Sequence, residues 1–204
     1  MTTIYLIRHG QASFGAESYD KLSPNGELQA KLLGQYFNQI LKEEPYVVAG
    51  SMQRHQQTAN LALAECFPDT RIMTDNAWNE FNHQQVFAQY EPRFNEPHLL
   101  KQDVENEANP RAYLAKIFEG AIERWTGGDY HHEYDESWPN FKSRVETALQ
   151  NLSDELAKTK PRYAVVFTSG GVISVTAGKL LELNANRTFA LNWAITNTSM
   201  TTLR

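Results

Sequence analysis

An α/β fold, a three-layer α/β/α sandwich around a mostly parallel sheet with a helical insertion, is what the 204-residue sequence predicts. Three observations lead to it. Uncharged runs rich in β-branched and aromatic residues recur at residues 3–7, 46–49 and 163–167, as expected of strands buried on both faces. Segments of helical apolar period separate them. Each run ends in small or polar residues: Gly10, Gly50-Ser51 and Ser169-Gly170-Gly171.

The first strand is expected to end at Arg8-His9-Gly10, the carboxyl edge where open α/β sheets place their ligands. A polar loop, Gln11 to Leu22, follows. Ser23 and Pro24 then read as N-cap and first residue of a helix. Leu28, Leu32, Leu33, Tyr36, Phe37, Ile40 and Leu41 mark its apolar face. Pro45 precedes the second strand, and a second helix is expected from about Arg54, carrying Leu61, Ala62, Leu63 and Phe67. A short third strand at 71–74 leads to Glu80.

From about 81 to 137 the pattern changes. Pro92, Pro97 and Pro110 punctuate a polar stretch with one clear helix, in which Tyr113, Leu114, Ile117, Phe118 and Trp125 recur. This stretch reads as an insertion covering the site within a single domain, residues 1–204. Beyond Pro139 come a long amphipathic helix, the strongest strand, a glycine pair opening a helix at 172–183, and a last strand near 199–203.

Composition narrows the function. The formal net charge of -5 excludes a protein that coats nucleic acid, which needs a basic surface. No apolar run approaches a membrane span, and the single cysteine, Cys66, is expected as a reduced, buried thiol. The expectation is a cytoplasmic protein with no nucleic-acid or membrane partner; the sequence leaves its oligomeric state open.

Arg8-His9, Arg54, Glu80 and Ser169-Gly170-Gly171 all fall at strand ends or helix starts, so a parallel sheet can bring them to one edge. Together they suit a phosphoryl group. Guanidinium forks and backbone amides hold its oxygens, a neutral imidazole attacks phosphorus, and a carboxyl group protonates the leaving oxygen.

In their order and spacing these residues, with Leu22-Ser23-Pro24-Asn25-Gly26, Gln29-Ala30, Gly34, Ser51-Met52-Gln53-Arg54 and Gln57-Thr58-Ala59, resemble the histidine phosphatase superfamily, over nearly the whole chain. The resemblance implies that His9 is transiently phosphorylated, that Arg8 and Arg54 bind the phosphoryl group, and that Glu80 donates the proton. It implies no metal and no other cofactor, and a phosphorylated small molecule as substrate.

One position departs from the family. A second histidine normally precedes the glycine pair; Ser169 stands there, with Gly170 beside it as a phosphate contact. Serine keeps a donor without the charge, which predicts a slow enzyme. Among residues that could compensate, His83, three beyond Glu80, comes first in sequence and His55 second; His131-His132 reads as a solvated pair. Gln11, Ser13, Phe14 and Asn82 are expected substrate neighbours.

Three activities fit. A phosphomonoester phosphatase is favoured over a phosphoglycerate mutase-type transferase, because the mutases' Glu-Ser-x-Trp-Asn run is replaced by Gln11-Ala12-Ser13-Phe14-Gly15. A phosphate-binding regulatory protein without turnover is the third, kept open by Ser169.

Overall fold

The computed structural model describes residues 1–13 and 20–204. Among them five strands form one sheet: β1 (Thr3–Arg8), β2 (Tyr46–Ala49), β3 (Ile72–Thr74), β4 (Tyr163–Thr168) and β5 (Met200–Leu203), in the order β3-β2-β4-β1-β5. β1, β2, β3 and β4 run parallel and β5 runs antiparallel to β1. The α/β fold class with a mostly parallel sheet is therefore present.

All six residues of β4 are buried, as its central place demands. β1 is less covered than its sequence implies: Leu6 and Ile7 are buried, while Thr3, Ile4 and Tyr5 are only half-buried. Paired residues run from Thr3 with Tyr163 to Arg8 with Thr168, so both strands end at one level. The chain leaves these two carboxyl ends in opposite directions, from β1 across to β2 and from β4 back to β5 beyond β1. A crevice at such a divergence is where doubly wound sheets bind ligands.

Residues 1–80 and 145–204 form one compact unit. One face of its sheet packs Ile7, Val47, Ala49, Val165 and Phe167 against Leu33, Phe37, Ala59, Ala62 and Leu63. These last belong to helices α1 (Pro24–Ile40) and α2 (Gln53–Ala64). Ser23 caps α1 as expected, its Oγ accepting from Gly26 N at 3.0 Å.

The face that α1 buries is part of the one its large apolar residues mark: Leu33, Phe37 and Leu41 are buried and Ile40 packs against them. Leu28, Leu32 and Tyr36 are exposed, whereas Gly26, Ala30, Leu33, Gly34 and Phe37 face inward. Close helix contact explains this: a Cβ on Gly34 would lie 2.1 Å from the carbonyl oxygen of Ala62 on α2. Gly34 gives that close approach, beside the large apolar Leu33 and Phe37 of the same face.

After β4 come α7 (Gly170–Leu180), which packs on β1, and α8 (Ala185–Asn192), which packs on α7. No helix is expected from the sequence at α8. Its N-cap is Asn184, accepting from Arg187 N at 3.0 Å, a signal that the short, weakly periodic segment obscured.

Residues 81–144 form a second unit. It holds α3 (His83–Tyr90), α4 (Pro97–Asn106) and α5 (Pro110–Thr126), with single helical turns at Pro92–Asn95 and His131–Glu133. The expectation of a loop-rich stretch with one helix needs correction. Pro92, Pro97 and Pro110 open helical segments, where a missing N–H costs nothing, rather than interrupting them. The rings of Phe81, Trp125 and Phe141 cluster in tilted and edge-to-face contacts, with centroids 4.7–5.6 Å apart. The helix α6 (Trp138–Thr159) begins in this unit and ends in the first. Among the described residues no helix is long and apolar enough to cross a membrane.

Candidate active site

The first unit brings Arg8, His9, Arg54, Glu80, Ser169 and Gly170 together at the carboxyl ends of β1 and β4 and the amino ends of α2 and α7. His9 is held there by its backbone. Its N–H donates to Thr168 O at 2.9 Å, and its carbonyl accepts from Asn197 Nδ2 at 3.0 Å. Gly10 N donates to Thr58 Oγ1 at 3.0 Å. A Cβ on Gly10 would stand 2.5 Å from Gly26 O, so only glycine lets this turn lie against the start of α1.

The imidazole of His9 is 8% exposed and its Nδ1 lies 2.7 Å from Gly10 O. A carbonyl only accepts, so Nδ1 carries the proton and Nε2 keeps its lone pair. Burial, then the positive charge of Arg54, and to a smaller extent Arg8, push the pKa from 6.5 down to about 3. The ring is therefore neutral at pH 7. A neutral imidazole with a bare Nε2 beside two guanidinium groups has the lone pair a nucleophile needs and the charge an anion would meet.

Arg8 Nη1 donates to Ile195 O, and its Cζ lies 3.7 Å from where a Gly170 Cβ would stand. The guanidinium thus borders the first residue of α7. Arg54, 4% exposed, sits on the first turn of α2, with Nη1 2.6 Å from Asp20 Oδ1. Asp20 Oδ2 also accepts from Gln53 N at 2.7 Å. The helix start expected to favour an anion is occupied by a carboxylate of the chain itself, which fixes Arg54 by one nitrogen.

Glu80 follows the single turn at Asn76–Trp78 and its Oε2 accepts from Gly171 N at 2.9 Å. A carboxylate at a helix amino end is favourably placed. It also takes the amide that an N-cap serine would ordinarily use. Ser169 is the N-cap residue of α7, yet its side chain makes no capping bond. Its Oγ is instead 2.6 Å from Nε2 of His55, and both residues are 0% exposed.

Sequence order favours His83 as the compensating histidine. His83 lies in the second unit at the start of α3, half-buried, its ring edge-on to Phe87 at 6.2 Å. His55 belongs to the first unit and lies beside His9, the two ring centroids 5.7 Å apart. Burial, His9 and Arg54 hold its pKa well below its ordinary value. Its place after Arg54 was the available signal, but one helical residue looks like any other until β4 is set beside it.

Gln11 ties the loop to α1: its amide oxygen accepts from Ser23 Oγ and Asn25 Nδ2, each at 3.0 Å. Ser13 is half-buried, and its N–H donates to Lys21 O at 2.8 Å. Phe14 lies outside the described residues. Asn82 caps α3, accepting from Gln85 N at 3.1 Å. The contacts of Asp20, Ile195 and Asn197 with Arg54, Arg8 and His9 have no counterpart in the sequence reading. Cys66, expected to be buried, is half-buried, because it packs only partly against the core of the first unit. Among the described residues no group of three or more His, Cys, Asp or Glu side chains could hold a metal ion.

A model of the histidine phosphatase superfamily (branch 1) matches residues 4–204. Solved structures share the fold. Phosphoglycerate mutase from Bacillus anthracis str. Sterne is 18% identical, with 98% of this chain and 86% of that one covered at a TM-score of 0.65. A mutant phosphoserine phosphatase from Entamoeba histolytica, in complex with phosphoserine, is 17% identical over 99% and 90% of the two chains, with a TM-score of 0.65. The mycobacterial glucosyl-3-phosphoglycerate phosphatase is 20% identical over 100% and 90%, with a TM-score of 0.61. None of the curated proteins matches the chain.

Proposed function

The chain belongs to the histidine phosphatase superfamily, and on that premise we propose that it is a phosphomonoester phosphatase working through a phosphohistidine on His9. One observation carries the proposal: Nδ1 of His9 is bonded to Gly10 O in a buried, neutral ring, which leaves Nε2 as the attacking atom.

Arg8 and Arg54 hold the phosphoryl oxygens of a phosphorylated small molecule. Nε2 of His9 attacks phosphorus along the line of the ester bond. The P–N bond forms as the P–O bond breaks, and Glu80, entering the step in its acid form with Oε2 still accepting from Gly171 N, gives its proton to the departing oxygen. Water then attacks the phosphohistidine, Glu80 takes a proton from it, and phosphate leaves with His9 restored. The guanidinium groups supply the charge stabilisation that a divalent ion gives elsewhere, so the reaction needs no metal.

Ser169 stands where the superfamily normally has its second histidine, and the turnover is correspondingly slow. Gly170, bordering Arg8, completes the phosphoryl cradle, and Gln11, Ser13 and His83 are the candidate substrate contacts. Hydrolysis is favoured over a mutase reaction by the Gln11-Ala12-Ser13-Phe14-Gly15 sequence that follows Arg8-His9-Gly10. The experiment is steady-state hydrolysis of para-nitrophenyl phosphate beside a coupled phosphoglycerate mutase assay. Release of phosphate in the first without turnover in the second is the expected result. Turnover only in the second would assign a mutase, and phosphate binding without turnover in either would assign a regulatory phosphate-binding protein.

A further inference from the structure

We propose that His55 is a second histidine of this site, a positioning residue that fixes the Ser169 hydroxyl so that its proton is presented to the phosphoryl oxygens. The proposal rests on the phosphoryl-transfer reading above and deepens it.

Four observations carry it. First, the Nε2 of His55 and the Oγ of Ser169 are 2.6 Å apart in a fully buried contact. Second, Ser169 has the N-cap position of α7 without a capping bond, because Glu80 accepts from Gly171 N in its place. The hydroxyl is thereby released from its usual task. Third, the ring of His55 lies beside that of His9, centroid to centroid 5.7 Å, and Ser169 adjoins Gly170, which borders Arg8. Fourth, the backbone makes room for this ring: a Cβ on Gly50 would lie 2.3 Å from His55 Nδ1.

The direction of the bond follows from what each nitrogen meets. His55 Nδ1 is buried and has no hydrogen-bond partner among the described residues. Were Nδ1 to carry the proton, a buried N–H would have no acceptor, which folded proteins avoid more strictly than a bare lone pair. The favoured neutral ring therefore carries its proton on Nε2 and donates it to Ser169 Oγ. That oxygen, already accepting, turns its own O–H away from His55. A hydroxyl fixed before substrate arrives needs no reorganisation as charge develops on the phosphoryl oxygens.

The role makes a pair of amide substitutions informative. In His55→Gln the amide nitrogen falls near the place of Nε2 and can still donate to Ser169; in His55→Asn it falls near Nδ1 and cannot. With para-nitrophenyl phosphate as substrate, His55→Gln should keep kcat within a few-fold of wild type. His55→Asn should lower it by about 10-fold or more, with KM changed much less. Ser169→Ala should lower kcat by about 10²-fold, and adding His55→Asn to it should lower kcat no further, because His55 acts through the hydroxyl.

Orthovanadate, which mimics five-coordinate phosphorus, gives a readout independent of turnover: its affinity should fall with kcat across the set, while that of inorganic phosphate changes little. Melting temperatures identify any variant that fails to fold, and Ser169→Ala, a loss of one atom, keeps the test open if both His55 variants do. Equal kcat in His55→Gln and His55→Asn, or multiplied losses in the double variant, would overturn the proposal while leaving the His9 chemistry intact. A phosphoryl adduct on Ser169 itself would overturn it too. A wild-type protein that binds neither phosphate nor vanadate would remove the phosphoryl site and this role with it.

Discussion

Ser169 Oγ and His55 Nε2, 114 positions apart in the chain, meet at 2.6 Å with no exposed surface on either residue. The contact joins the amino end of α2 to the turn between β4 and α7, the two helix starts that frame His9. It also requires a glycine on β2's exit. Gly50→Ala should displace the His55 ring, since the new Cβ would lie 2.3 Å from Nδ1 and 2.7 Å from Asn79 Oδ1. The expected outcome in a para-nitrophenyl phosphate assay is a kcat lowered about 10-fold or more. Unchanged kcat in a folded Gly50→Ala protein would show that the ring tolerates displacement.

Glu80→Gln separates proton donation from binding. Glutamine still accepts from Gly171 N but cannot protonate a leaving oxygen. Hydrolysis of alkyl phosphates, whose leaving groups need that proton, should fall by about 10²–10⁴-fold. Para-nitrophenyl phosphate, with its weakly basic leaving group, should suffer far less in the bond-breaking step. Equal losses for both substrates in single-turnover measurements would assign Glu80 a binding role.

The depressed pKa of His9 has a consequence for stability. Unfolded, its imidazole titrates near 6.5; folded, at about 3. Between those values the unfolded chain binds a proton that the folded one does not. The stability His9 contributes is therefore complete above about pH 6.5 and declines as pH falls toward 3, by about 2 kcal/mol at pH 5. His55, shifted in the same direction, adds to the decline. Urea unfolding at pH 7.5 and pH 5 should show His9→Asn losing about 2 kcal/mol less than wild type. Identical losses would mean that His9 is not buried in its neutral form.

Chelation is the third test of the chemistry. With Arg8 and Arg54 supplying the charge, EDTA should leave para-nitrophenyl phosphate turnover unchanged. Loss in EDTA with recovery on adding a divalent ion would show that the arginines do not suffice.

Local pattern made much of the fold legible: β1, β2 and β4 were marked by uncharged apolar runs, α1 by Ser23-Pro24, and α7 by the glycine pair. What pattern misread was decided by contacts between elements. Leu28, Leu32 and Tyr36 satisfy a helical period but lie outward, because α1 turns Gly34 to Ala62 of α2 and Gly26 to the turn at Gly10-Gln11. Pro92, Pro97 and Pro110 look like breaks when read singly and are helix starts in three dimensions. That Arg8, His9, Arg54, Glu80 and Ser169 meet at one edge was legible because each falls at or just past a strand end or a helix start. His55 could not be singled out, since its contact with Ser169 spans 114 positions of the chain. Asp20, Ile195 and Asn197 contact Arg54, Arg8 and His9 through chain separations that no periodicity encodes.

The most direct test of the account is to trap the covalent intermediate. The protein is mixed rapidly with a radiolabelled phosphomonoester, quenched in alkali and digested for peptide mapping. The account predicts one label, stable in alkali and lost in acid, on His9, and neither label nor turnover in His9→Ala. A label on Ser169 or Cys66, or full turnover in His9→Ala, would contradict it.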